Sequence, residues 1–198
     1  MAYRGIDEST PEGRVLASTM RCCERWGMAK VTIDDIANES GLSRATIYRL
    51  FPGGKDVIYE EVRSRETAAF FEELDEHVSA ADSLEDLVVS TLTESTRMLQ
   101  ADEHIQVMLA SVPGEILARL GFSDVPRIIE AAGEFLARRC ARFLSREQSA
   151  ELGEWMTRVV LTFFFTPSTH VDLADEQSAR RFARRFILPA YQQPTSVR

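Results

Sequence analysis

Between Gly41 and Lys55 the sequence GLSRATIYRLFPGGK carries three cations, Arg44, Arg49 and Lys55, and no acid, in a chain whose formal net charge is -8. Ser43, Thr46 and Tyr48 are interleaved with them. Guanidinium, ammonium and hydroxyl groups at this density suit phosphate oxygens and the edges of nucleotide bases. A net-acidic chain that gathers positive charge in one stretch meets a polyanion there and is repelled elsewhere. Metal and nucleophile chemistry find no comparable grouping. His77, His104 and His170 are far apart; Glu73 and His77 share a helix face at i, i+4, but two groups do not make a metal site. No Gly-rich phosphate loop follows a strand pattern, and no Gly-x-Ser-x-Gly occurs. No catalytic residue, metal or cofactor is therefore expected, and a helical enzyme is kept only as an alternative.

The elements that must position these groups lie in Thr32–Phe51, TIDDIANESGLSRATIYRLF. Thr32 is placed to N-cap a first helix, with Asp35 in the capping-box position. Ile33, Ile36 and Ala37 give that helix one apolar face. Gly41 suits the left-handed position after a helix end. Ser43 is placed to N-cap a second helix, with Leu42 and Ile47 spaced as a hydrophobic staple. Ile47, Leu50 and Phe51 form its buried stripe, which leaves Arg44, Thr46, Tyr48 and Arg49 outside. Helix, Gly-containing turn, helix with a basic outer face is the pattern of a helix-turn-helix, whose second helix enters the DNA major groove.

The remaining sequence reads as all-α. At 198 residues and 44% hydrophobic content the chain can build a sizeable core. Residues 1–9 read as a flexible arm, either a disordered tail or one whose Tyr3 and Arg4 reach a minor groove. Thr10-Pro11 starts a supporting helix that runs to Trp26. Lys55 opens a long helix to Val78. Further helices are expected over 84–99, 103–111, 127–144, 145–166 and 175–191, with a short turn at 115–120 and loops at 121–126 and 167–173. No segment approaches the roughly 18 apolar residues of a membrane helix. The polar start, Met1 to Glu12, lacks a signal pattern. Three cysteines, two of them adjacent, fit a reducing compartment, so a cytoplasmic protein without membrane association is expected.

Gly41–Ile58, GLSRATIYRLFPGGKDVI, resembles the helix-turn-helix of the TetR family of bacterial transcription regulators. The turn Gly, the small cap, the Thr, the apolar residue, the Tyr, the aromatic Phe51 and the Lys opening the fourth helix all match. Leu50 replaces a common aromatic and Gly54 replaces a usual Ser or Thr cap. The resemblance implies a DNA-binding domain at 1–54 and an effector-binding and dimerisation domain at 55–198, about nine helices in all. It implies a homodimer whose last two helices form a four-helix bundle across a two-fold axis, with Trp155, Val159, Thr162, Phe163, Ala179, Phe182, Phe186 and Ala190 on the shared faces. A palindromic double-stranded DNA operator would follow. Arg44 would read guanine and Ala45 a thymine methyl; Thr46 and Arg49 would meet bases or phosphates; Thr32, Ser43, Tyr48 and Lys55 would clamp phosphates. A hydrophobic small-molecule effector, such as a lipid, an acyl thioester or an aromatic drug, would sit among Phe70, Met98, Met108, Phe122, Trp155 and Phe164, with Arg97, His104 or Thr157 as polar anchors. The function implied is a ligand-released repressor. The alternative is a DNA-binding regulator without a small-molecule effector, controlled by a protein partner or acting as an activator.

Overall fold

The computed structural model describes residues 3–111 and 125–191, and within them it holds helices and no strand. The expected turn at 115–120 and the loop at 121–124 lie outside the described residues. Nine α-helices are present among those described: α1 Pro11–Trp26, α2 Ile33–Ser40, α3 Arg44–Leu50, α4 Lys55–Val78, α5 Leu84–Ala101, α6 Glu103–Ser111, α7 Val125–Arg139, α8 Arg146–Phe165 and α9 Glu176–Phe182. The chain divides into two compact units, residues 1–70 with 103–119, and residues 71–102 with 120–198. The division falls inside α4, between Phe70 and Phe71.

In the first unit, Thr10 caps α1 by accepting from the Gly13 amide, with Pro11 at the first helical position. Val15, Leu16, Ile36, Ile47 and Ile58 are fully buried and share one core with Val31, Phe51, Tyr59 and Val62. The amino-terminal arm belongs to this core, which corrects the expectation of a free, groove-seeking arm. Tyr3 is buried and donates its phenol to Glu24, and the Arg4 guanidinium lies 5.4 Å from the Phe70 ring centre. An aromatic side chain and a stacked guanidinium gain more from this packing than a solvated arm would. The thiols have no reactive setting: burial raises those of Cys22 and Cys140 to about 11.

The second unit is built on α7 and α8, which pack along much of their length. A Cβ added at Gly153 would stand 2.8 Å from the Gly133 amide nitrogen and 3.0 Å from the Ala132 carbonyl carbon, so the two backbones touch there. Phe135, Leu136 and Leu152 fill the adjoining core. Two expected boundaries move. The α7 helix starts at Val125, because Pro126 fits the first turn, where a missing N–H costs nothing. It ends at Arg139 rather than Leu144, because Phe143 and Leu144 both donate to the Cys140 carbonyl and close a tight turn toward the Ser145 cap. The expected last helix to Tyr191 is not uniform. It passes after Phe182 into a π-helical turn, Ala183–Ile187, and then a 3₁₀ turn, Leu188–Ala190. Pro189 cannot donate to a preceding carbonyl, which disrupts the α-helical ladder here.

Gly153→Ala is expected to destabilise the second unit by about 1–3 kcal/mol, because overpacking against backbone outweighs the roughly 1 kcal/mol helix-propensity gain of Ala over Gly. Urea unfolding followed by circular dichroism checks it; an unchanged or raised midpoint would mean the crossing relaxes freely.

Candidate nucleic-acid interface

The interface is set by two capped helices and one left-handed residue. Thr32 Oγ1 accepts from the Asp35 amide, and the Asp35 carboxylate accepts from the Thr32 amide at 2.8 Å and its hydroxyl at 2.6 Å. This is the expected capping box. The two Thr32 hydrogen bonds hold the Asp35 carboxyl below its ordinary value. Gly41 follows α2 at φ 67° and ψ 22°, the left-handed conformation the turn requires. Its Cβ position is open, so backbone strain alone selects glycine there. Ser43 caps α3 by accepting from the Thr46 amide at 3.1 Å, and the two hydroxyls are 2.9 Å apart.

Ile47 is completely buried beneath α3, and Leu42 and Leu50 pack against the same core. Burying this side turns Arg44, Ala45, Tyr48 and Arg49 to solvent, with Thr46 half-buried. Among the described residues Arg49 makes no ion pair. Arg44 makes one: its Nη1 lies 3.1 Å from Asp34 Oδ1 on the first turn of α2. Lys55 is also committed, donating from Nζ to the Val31 carbonyl at 3.1 Å and lying 5.7 Å from the Tyr59 ring centre. Thr32, Ser43 and Thr46 spend hydroxyl capacity on caps.

Asp34 and Val31 carried no signal in the sequence, because both meet their partners only through the folded turn. Behind α2, Glu39 pairs with Arg21 and Arg25, and Arg21 also reaches Glu8. These arginines are thus balanced by acids, as Arg44 is by Asp34, which leaves Arg49 as the α3 cation without an ion pair among the described residues.

The proposed effector residues are distributed rather than gathered. Phe70 belongs to the first unit, under Arg4. In the second unit Met98 is buried, and Thr157 is buried with its hydroxyl donated to the Gly153 carbonyl at 2.8 Å. Arg97 is exposed and donates to the Ala174 carbonyl and Glu94. Trp155 is 57% exposed, which removes it from any enclosed site, and Phe164 stacks edge-on against Phe165. Phe122 and the side chains of His104 and Met108 lie outside what the structure describes. The sequence reading missed Thr91 and Thr93 of α5, whose buried hydroxyls have no hydrogen-bond partner among the described residues.

The residues assigned to a shared helical face are exposed or half-buried, with one exception. Trp155 and Thr162 of α8 are exposed, Val159 and Phe163 are half-buried, and Phe163 meets Phe182 edge-on at 5.5 Å. Phe182 in turn packs at 5.1 Å on Phe186, which is 61% exposed, and Ala190 is exposed beyond it. Ala179 is fully buried inside its own chain and does not reach this face.

Residues 15–62 match the family model described as bacterial regulatory proteins, tetR family. An HTH-type transcriptional regulator of Mycobacterium bovis is 29% identical over 119 residues, 60% of this chain and 61% of the relative. Its counterpart in Mycobacterium tuberculosis aligns equally well. The chain thus spans about three fifths of the length of the curated relatives it matches. Among solved structures, the TetR family repressor AlkX from Dietzia sp., implicated in biodegradation of n-alkanes, superposes with a TM-score of 0.63 at 20% identity, over 94% of this chain and 97% of that one. The fatty acid degradation regulator FadR from Bacillus halodurans superposes with a TM-score of 0.52 at 14% identity, over 86% and 93%. At these identities the likeness is one of fold.

Thr32→Ala is expected to cost about 1 kcal/mol of stability by removing the cap of α2. The loss also depends on pH. The Asp35 pKa is lowered in the folded state, so its share is present above the ordinary carboxyl value and fades as pH falls through the folded one. The stability gap between wild type and Thr32→Ala should therefore narrow in acid without closing, since the Asp35 amide keeps its bond to Thr32. Denaturant titrations at neutral and acid pH test this; a gap that widens in acid refutes the assignment.

Proposed function

We propose that this chain is a member of the TetR family of bacterial regulatory proteins, whose model its residues 15–62 match, and that it is a homodimeric, DNA-binding repressor released by an apolar effector. The family is one of transcription regulators rather than enzymes. The observation that carries the reading is α3 itself. Its apolar side is buried, its amino-terminal end is capped, and its exposed residues are Arg44, Ala45, Tyr48 and Arg49, on a turn built around a left-handed glycine. A recognition helix contacts base edges through its amino-terminal residues. Arg44 at the first position is then the guanine reader, because guanidinium pairs bidentately with O6 and N7. Ala45 is small enough to meet a thymine methyl, and Arg49 with Tyr48 reaches the flanking phosphates. Lys55 acts on phosphate only with the donors its Val31 bond leaves over.

Dimerisation is supported by the aromatic face of α8 and the segment after α9. Phe186 is largely exposed and continuous with the Phe163–Phe182 pair, and Trp155 is largely exposed on α8. An exposed aromatic run of this kind marks a protein interface. A two-fold pair would present two α3 helices about one DNA turn apart, roughly 34–36 Å, which asks for a palindromic operator.

The effector belongs to the second unit. The fold relatives AlkX and FadR, tied to n-alkane and fatty acid degradation, point to a long apolar molecule. One of the unpartnered α5 hydroxyls, Thr91 or Thr93, would supply its polar anchor, since a buried hydroxyl left unpaired costs about 1–3 kcal/mol; two residues apart on the helix, they do not face the same site. Binding weakens DNA affinity by the effector's preference between the two states and by no more.

Selection of duplexes from a random pool should enrich a palindrome with half-sites one helical turn apart. Arg44→Ala should lower discrimination at one half-site position by about 1–3 kcal/mol. An enriched site without two-fold symmetry would sink the dimeric reading, and unchanged base preference in Arg44→Ala would sink the docking. Phe186→Glu should shift sedimentation from dimer to monomer while leaving helix content intact; a persisting dimer would place the interface elsewhere.

A further inference from the structure

Arg44 does not stand alone on the exposed face of α3. Its Nη1 is forked by the Asp34 carboxylate, 3.1 Å from Oδ1 and 3.3 Å from Oδ2. The two side chains are 59% and 62% exposed, so the pair sits at the surface. Exposed ion pairs of this kind add little to stability. An acid beside the cations that meet DNA also opposes binding to phosphate. The amino-terminal turn of α2 does favour an acid, but Asp35 already supplies one, with both capping-box bonds formed. Capping does not require Asp34, and what sets it apart from Asp35 is its position against the arginine.

We propose that Asp34 is a positioning residue for Arg44 and so sets the base specificity of α3. Holding Nη1 fixes the guanidinium plane and leaves the Nε and Nη2 hydrogens as a free edge. That edge is the two-donor fork that guanine O6 and N7 accept. The carboxylate acts a second time through its charge. It lowers the attraction of the helix tip for phosphate on any sequence, while the pre-aimed arginine loses less freedom on meeting the correct base. Specificity is a difference between two affinities, and Asp34 widens it from both sides. The inference rests on the DNA-binding reading above and concerns the same face.

The test is equilibrium binding at fixed salt of the full chain. The probes are a duplex recovered from random-pool selection, its single-position half-site variants, and a scrambled duplex. Asp34→Asn should bind the scrambled duplex more tightly and lose about two- to fivefold of its discrimination, at the one position that Arg44→Ala also affects. Asp34→Glu keeps the charge but displaces the carboxylate by one methylene. It should hold scrambled binding at the wild-type level and still lose base preference. In the Arg44→Ala background, Asp34→Asn should leave discrimination unchanged. Wild-type base preferences in Asp34→Asn, a loss spread evenly over all positions, or the same loss without Arg44 would overturn the proposal while leaving the regulator reading intact. Failure of the wild type to enrich any duplex would overturn both together.

Discussion

A seven-residue helix has no stability of its own, since isolated helices shorter than about 12–15 residues are marginal in water. Everything α3 does depends on its being held from outside. The hold is Ile47, completely buried beneath it, with Phe51 closing its carboxyl end and the Ser43 cap opening it. The core of the first unit exists around that attachment. Leu16, Val15, Ile36 and Ile58 come from three further helices, and Tyr3 from the arm. With Ile47 buried beneath the helix, Arg44, Tyr48 and Arg49 stand exposed, and the chemistry of the face depends on that packing.

The same logic explains why Lys55 turns away from solvent. The start of α4 must be fixed against the loop before α2, or the core beneath α3 would open at one side. Its ammonium does this through the Val31 carbonyl, and Tyr59 adds a second tie through its phenol to the Met28 carbonyl at 2.9 Å. Hydrogen bonds from a charged donor are worth about 1.5–3 kcal/mol, more than an exposed phosphate contact would spare. α4 runs 24 residues from this anchored start and ends in the second unit.

Legibility in the sequence followed the range of the interactions. The capping box at Thr32 and Asp35, the left-handed Gly41, the Ser43 cap and the bounds of α1 to α6 are local events, written within four residues of where they act. Those readings match the structure to within a residue or two. The docked arm, the Asp34–Arg44 pair and the Val31–Lys55 bond join residues 10 or more apart through a folded turn or across a core, and no periodicity announces them. The break after Phe182 was half legible: Pro189 was visible, but its effect on the ladder depends on the π turn that absorbs it. Ala179 was misassigned for a related reason. A helix with two apolar sides does not say from sequence which side faces its own chain. Of the effector residues, chosen by type alone, the structure groups few, because Phe and Met serve any core.

Charge placement links these points. The chain is acidic overall, yet it does not leave its arginines near the DNA face uncommitted. Arg21 and Arg25 are taken up by Glu39 and Glu8, and Arg44 by Asp34. Lys55 gives one of its three N–H donors to a carbonyl and keeps its charge. What remains fully available among the described residues of α3 is chiefly Arg49. Non-specific affinity scales with the number of phosphates neutralised, each lysine or arginine adding its own counterion release. On α3 that leaves little charge for phosphate, so the proposed site preference would come from base contacts and from pairing with a second subunit. Both depend on geometry rather than on charge, and geometry is what the buried Ile47, the capped turn and the Asp34 carboxylate provide.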